Sequence, residues 1–369
     1  MKKTVLSALT AAFALGIIAP QASAAPIVEE QEPEIDFQKP AISVRPSRDA
    51  QVENELRDLR ARIAVLEREN DYRNSYDYDS KDDDDWTKKF NLNGEFRYRF
   101  WHNKKASSKT SNNRLELRLL PTIQINDNLA IKTRFTGRYN HMEDDSDSDW
   151  KMNFAYLEGK FDNFQVNAGK MPFYTDADKG MLADDFFSGV QVKANVEDFD
   201  FKVNGGVWDG AADGLRRDYI GAEALYDLND ELKVGAGIHH LQRNGFKANI
   251  LTVGGDFQLN EDWSVNGAYG RNNKGGNHKD AFNIEADYLG AKRSEEGSWG
   301  AYVAYRYVPS TVGLAPTYDT FGTPNKKGFD FGGSYTPMKD TLLKVSYFHG
   351  KHFNHNNART VFARASIFF

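Results

Sequence analysis

From residue 88 to the C-terminus, apolar and polar side chains alternate with a period of two. Leu92, Gly94, Phe96, Tyr98 and Phe100 interleave with Asn93, Glu95, Arg97 and Arg99. Leu115, Leu117, Leu119, Pro121, Ile123 and Ile125 interleave with Glu116, Arg118, Leu120, Thr122 and Gln124, and Leu129, Ile131, Thr133, Phe135 and Tyr139 with Lys132, Arg134, Thr136 and Arg138. Successive side chains of a strand point to opposite faces, so the pattern predicts strands with one apolar and one polar face. It recurs at about 150–161, 163–171, 187–194, 199–208, 219–228, 232–241, 249–259, 263–270, 281–290, 298–308, 328–337, 341–350 and 359–369, which makes sixteen strands.

The links between strands alternate in length. Those after even strands are mostly tight and rich in Asn and Asp (126–128, 162–163, 195–198, 229–231, 260–262, 338–340), the residues that take hairpin turn conformations. Those after odd strands are generally longer and polar (102–113, 141–149, 172–186, 209–218, 242–248, 271–280, 309–327, 351–358). The link at 291–297 breaks the alternation. Short turns on one rim, long loops on the other and an even strand count predict an all-β fold: a 16-stranded antiparallel transmembrane β-barrel with apolar side chains outward and polar ones toward a wet lumen. Tyr98, Trp101, Tyr139, Trp150, Trp263, Tyr269, Trp299 and Tyr307, near strand ends, are candidates for interfacial girdles.

The N-terminal quarter reads differently. Lys2 and Lys3, an apolar run from Val5 to Ala19 and Ala22-Ser23-Ala24 predict a secretory signal peptide over 1–24. Residues 25–48, with Pro26, Pro33, Pro40 and Pro46, read as an extended linker. Over 49–70, Val52, Leu56, Leu59, Ile63 and Leu66 form a heptad seam, predicting an α-helical coiled coil, or else an amphipathic helix docked on the same chain. Arg62-Ile63-Ala64-Val65-Leu66-Glu67 resembles a pattern of short trimeric coils. Residues 71–87, ending the acidic run at Asp85, read as a self-repelling tether, and 88–369 as the barrel.

Composition removes several chemistries. With no cysteine among 369 residues, disulfides, thiol nucleophiles and Cys-ligated metals are excluded. A formal charge of −6 offers no footprint for nucleic acid. Past the leader, no apolar run approaches the ~20 residues of a spanning helix. Asp145 to Asp149 begins like a calcium loop, but Trp150 and Tyr156 stand where the required Gly and Glu would be. His349, His352 and His355 read as polar-loop residues, and no catalytic triad or phosphate loop is legible. The expectation is no cofactor, no metal and no catalysis.

Asn91 to Phe100 looks like the first strand of a known family, the sixteen-stranded trimeric porins of Gram-negative outer membranes. Asn167-Ala168-Gly169-Lys170-Met171-Pro172-Phe173 resembles the fifth-strand passage that opens their inward-folding third loop, with Lys170 in place of Arg. The last strand ends in Phe369, with Val361, Ala363, Ala365 and Ile367 on its face, and looks like the signal read by the outer-membrane barrel assembly machinery. A coil ahead of the barrel is similar to porins that tether the outer membrane to the cell wall, although a surface-layer homology domain has no room here.

The resemblance implies an outer-membrane homotrimer in contact with lipid, both termini periplasmic, passing small hydrophilic solutes by diffusion. It places the constriction in 172–186, which carries Asp176, Asp178, Lys179, Asp184 and Asp185. The parity of strands one to three and sixteen puts Arg97, Arg99, Arg114, Arg118, Lys132, Arg134, Arg138 and Arg364 on the lumen side. These form one basic wall opposing the acidic loop, a transverse field that favours anions mildly. Glu223, Asp256, Glu285, Asp287 and Asp330 are also expected inside. A dicarboxylate- or sugar-selective channel and a cell-wall tether are the alternative functions.

Overall fold

The structure is a computed structural model describing residues 89–369 apart from 106–107, 141–147, 209–215, 244 and 355. The leader, linker, coiled coil and tether expected before residue 88 lie outside the described residues. Sixteen strands run in order: β1 (Phe90–Lys105), β2 (Ser108–Gln124), β3 (Leu129–Asn140), β4 (Ser148–Phe161), β5 (Phe164–Tyr174), β6 (Asp184–Val196), β7 (Phe199–Trp208), β8 (Arg217–Asp227), β9 (Leu232–Arg243), β10 (Phe246–Gln258), β11 (Trp263–Asn272), β12 (Asp280–Leu289), β13 (Trp299–Val308), β14 (Lys326–Tyr335), β15 (Thr341–His352) and β16 (Asn357–Phe368). Each pairs antiparallel with its successor, and β16 pairs with β1 to close the barrel. Closure gives the strand backbones partners where lipid offers none.

The outer face is apolar. Leu92, Phe96, Ile131, Leu157, Ile284, Val303 and Val345 are all exposed, and their strand neighbours Asn93, Arg97, Lys132, Glu158, Glu285, Ala304 and Lys344 point inward. Trp150, Trp263 and Trp299 stand on the outer surface. Trp101 does not: its ring lies inside, below the guanidinium of Arg99 at 4.6 Å and beside Phe362. As an odd-numbered β1 residue it shares the face of Arg97 and Arg99, so parity overrules its place near a rim.

Three short turns use one device. Asn126 Oδ1 accepts the N–H groups of Asn128 and Leu129, Asn229 Oδ1 those of Glu231 and Leu232, and Asn260 Oδ1 those of Asp262 and Trp263, all at 2.7–3.0 Å. The irregular link at 290–298 is held by its neighbour: Thr336 O accepts from Gly297 N, and Arg293 O accepts from Asp340 N. Two links expected to be long are short. Pairing of β1 with β2 continues to Lys105↔Ser108, and that of β9 with β10 to Arg243↔Phe246, with Gly245 at φ 85°. Past Trp101 the ends of β1 and β2 are polar on both faces, which reads as loop in sequence but suits strands that extend beyond the apolar band of the barrel. The C-terminus completes the ladder, with Gly94 and Phe369 exchanging N–H···O bonds of 2.7 and 3.1 Å.

The lumen is not polar throughout. Phe173, Phe187, Trp208, Leu241, Ile250 and Phe348 point inward and are buried with Met181, Leu182, Val312 and Phe321 in one apolar cluster. The last four belong to two loops that fold into the barrel, so water is displaced from that side of the lumen and the wall behind is apolar to match.

Candidate pore constriction and its charged walls

The first inward loop begins where β5 leaves β4. Their last pairs are Tyr156↔Gly169 and Ala155↔Lys170, after which β5 pairs only with β6, up to Tyr174↔Asp184. Gly169 has φ 127°, and a Cβ there would sit 2.6 Å from Ala155 O, so the bend needs glycine. Because pairing persists to Tyr174 and Asp184, the loop proper is 175–183 rather than 172–186. The hairpin that carries it packs Phe173 of β5 and Phe187 of β6 on Trp208 of β7 and Tyr219 of β8, the strands next to it, with ring centroids 5.0–5.8 Å apart.

Polar anchors fix its tip. Glu223 Oε2, on β8, accepts the N–H groups of Asp176 and Ala177 at 2.6 and 3.0 Å. Lys202 Nζ, on β7, reaches Tyr174 O at 2.5 Å, the Asp176 carboxylate, and Glu223 at 3.2 Å. Lys179 pairs with Asp256 on β10. Asp178 is fully buried, accepting Thr175 Oγ1–H at 2.6 Å and Leu182 N–H at 3.4 Å.

Burial pushes the Asp178 carboxyl up to about 7, helped by the negative Glu223 and opposed by the hydroxyl of Thr175, the amide of Leu182 and the charge of Lys202. The sign follows from linkage. The docked loop holds a proton that an undocked Asp178, ordinarily near 3.8, would lose, so docking is favoured in acid and weakens as pH rises from about 4 to 7. Raising pH from about 5 to 8 is therefore expected to increase the conductance of the wild-type barrel, and to do so far less in Asp178→Asn. An equal pH response in both proteins would show that Asp178 does not couple to the loop.

The second inward loop, 309–325, lies between β13 and β14 and docks on the first. Ala183 and Ala315 form a parallel bridge. Leu314 N and Ala315 N donate to Leu182 O (2.9 and 3.0 Å), Thr317 N to Gly180 O (3.0 Å) and Asp184 N to Ala315 O (2.7 Å). Thr317 Oγ1 donates to Asp184 Oδ2 at 2.7 Å. Read from sequence, this segment is one of the long polar links. Val312, Leu314, Ala315, Tyr318 and Phe321 are the missed signal, being too apolar a set for a solvated link.

The basic residues expected in the lumen come together on β16 and β1–β3. Arg97 is bidentate to Glu95 at 2.8 and 2.7 Å. Glu116, with no exposed side-chain surface, gathers Arg99, Arg118 (3.2 Å), Arg138 (3.4 Å) and Arg114 (3.8 Å). Lys132 pairs with Glu158 at 2.9 Å. Arg134 lies over the rings of Phe186 and Phe154 at 4.7 and 5.3 Å, which brings the β5–β6 hairpin to this wall. Arg364 meets Asp319 of the second loop at 3.7 Å.

The acids of the first loop mostly look elsewhere. Asp178 is sealed in the loop, Asp176 goes to Lys202, Asp184 binds Thr317, and Asp185 is half-buried opposite Phe173 in the ladder. Glu285 and Asp330 are taken by Arg306, at 3.0 Å for Asp330 and 2.5 Å for Glu285. Beside the two loops, a recess of about 480 Å³ is lined by Tyr174, Lys179, Asp256, Arg306, Asp319 and Arg364 among others. Burial alone would raise the Asp319 carboxyl, but Lys344 and Arg364 overcome it and hold the group below the usual carboxylate range.

A sequence family described as Gram-negative porin matches residues 121–295. The comparison with curated proteins finds no match. Among solved structures, Pseudomonas putida OprB at high pH is similar with a TM-score of 0.55 and 13% identity, over 77% of this chain and 95% of that one. A triple mutant of Rhodopseudomonas blastica porin is similar with a TM-score of 0.51 and 12% identity, over 75% and 100%. Identities this low speak for the fold alone. In its closed sixteen-stranded barrel, and in the sequence match across 121–295, the chain resembles the Gram-negative porins.

Proposed function

We propose that this protein is an outer-membrane porin: a water-filled channel through which small hydrophilic solutes and ions diffuse passively. The observation that carries the reading is the lumen itself, charged along β16 and β1–β3 and narrowed from the other side by two docked loops, inside a barrel with an apolar exterior. Residues 1–24 direct export, Phe369 and its face mates serve barrel assembly, and three copies associate through their outer walls. The coil at 49–70 stands on the periplasmic side and fixes that number.

Charge bias follows from the basic wall. Seven of its eight cations contact four carboxylates, Glu95, Glu116, Glu158 and Asp319, while Arg134 lies over aromatic rings, so the path along β1–β3 keeps a positive excess that favours anions. Single-channel recording in a planar bilayer under a salt gradient tests both parts. Stepwise conductance in threes with an anion-selective reversal potential is the expected result. Cation selectivity would discard the role given to the wall, and folded protein that never conducts would discard the porin.

A further inference from the structure

Which carboxylate tunes the basic wall is a separate question from the existence of a channel. The acids of 175–184 are sealed, or bound by partners away from β1–β3. The loop acid that does touch the wall is Asp319. Its carboxylate meets Lys344 Nζ at 2.8 Å and Arg364 at 3.7 Å. Arg364 is the cross-strand partner of Arg99, which continues into the Glu116 cluster. The backbone carbonyl of Asp319 also accepts Trp101 Nε1–H of β1 at 3.4 Å.

Asp319 is held in place from both sides. The Tyr318 ring lies under the Arg306 guanidinium, 3.7 Å from ring centroid to Cζ, and Thr320 Oγ1 donates to Asp330 at 3.0 Å. One fifth of the Asp319 side chain stays exposed, toward the recess beside the loops. A fixed, partly solvated carboxylate between two lumen cations offsets them locally without removing either from the path of an ion.

Resting on the porin reading above, we infer that loop 309–325 is a second constriction element and that Asp319 is its selectivity-determining residue, limiting the anion preference of the basic wall. Lys344 and Arg364 are the cations it offsets. The acids of the first loop, by contrast, serve mainly to dock that loop.

The test is the reversal potential of full-length protein in a planar bilayer under a potassium chloride gradient. Asp319→Asn should raise the anion-to-cation permeability ratio by roughly two- to threefold, the scale of one uncovered charge in a wet, partly screened pore. Asp319→Glu, which keeps the charge, should restore the wild-type ratio; a purely structural role would not give that pairing. Asp184→Asn should shift the ratio less. If Asp319→Asn fails to assemble, the double variant Lys344→Met/Arg364→Gln should move the ratio toward cations, because Asp319 is then unopposed. An unchanged ratio in Asp319→Asn, or a larger shift in Asp184→Asn, overturns the assignment while leaving the channel intact. A wild-type barrel that does not conduct overturns the porin reading and the assignment with it.

Discussion

Replacing Glu116 by Gln is expected to lower the stability of the barrel by about 3 kcal/mol, the low end of what breaking a buried ion pair costs. The carboxylate is wholly buried and has four guanidinium groups around it, those of Arg99, Arg114, Arg118 and Arg138. A neutral amide leaves those cations packed together with nothing between them. The low end applies because Arg114 and Arg138 keep 29% and 34% of their side chains in the wet lumen, where water screens part of the repulsion. Denaturant unfolding of the refolded barrel measures the loss. Anion preference should rise in the same variant, since a negative charge has left the wall. Glu95→Gln should cost less, because Glu95 forms ion pairs with two arginines among the described residues, Arg97 and Arg118, against four for Glu116. If Glu116→Gln is as stable as wild type, the arginines do not depend on a shared counter-charge.

The sequence made the barrel legible because lipid imposes a period of two wherever a strand crosses it. Leu92, Phe96, Ile131 and Val345 had to alternate with polar residues for the outer face to exist at all. The basic wall was legible for the same reason, since parity alone puts Arg97, Arg99, Arg114 and Arg364 on one side. What parity cannot reach is any segment that leaves the sheet. The Gly169 bend turns β5 off the wall, and from there Met171 and Phe173 face an interior core rather than solvent. Asp178 reads in sequence as one more acid of a charged loop, whereas in space its carboxylate is enclosed by Thr175 and Leu182. The inward course of 309–325 depends on contacts with 180–184, some 130 residues away in the chain. No local pattern encodes a pairing at that distance; only the unusual apolar content of the segment hinted at it.

The largest effect on sieving is expected from Glu223→Ala. Glu223 Oε2 is the acceptor for two successive backbone N–H groups at the tip of the first loop, and bonds of this kind to a charged acceptor contribute about 1.5–3 kcal/mol each. The substitution also leaves Lys202, itself almost wholly buried, with Asp176 as its remaining carboxylate contact. With its tip released from β8, the loop retains Lys179–Asp256 and its backbone bonds to 309–325, and the gap along β1–β4 changes as it swings. Conductance should rise, and liposome-swelling assays with sugars of increasing size should show a larger cutoff than wild type. A variant that moves no charge makes the same point. Gly254 on β10 lies under the tip, and a Cβ there would sit 2.4 Å from the backbone oxygen of Ala177, a contact neither atom can yield without shifting the loop. Gly254→Ala should therefore widen the cutoff in the same direction with the reversal potential unchanged. If neither substitution alters the cutoff, the loop at 175–183 does not set the size limit, and the narrowing must lie along the second loop alone.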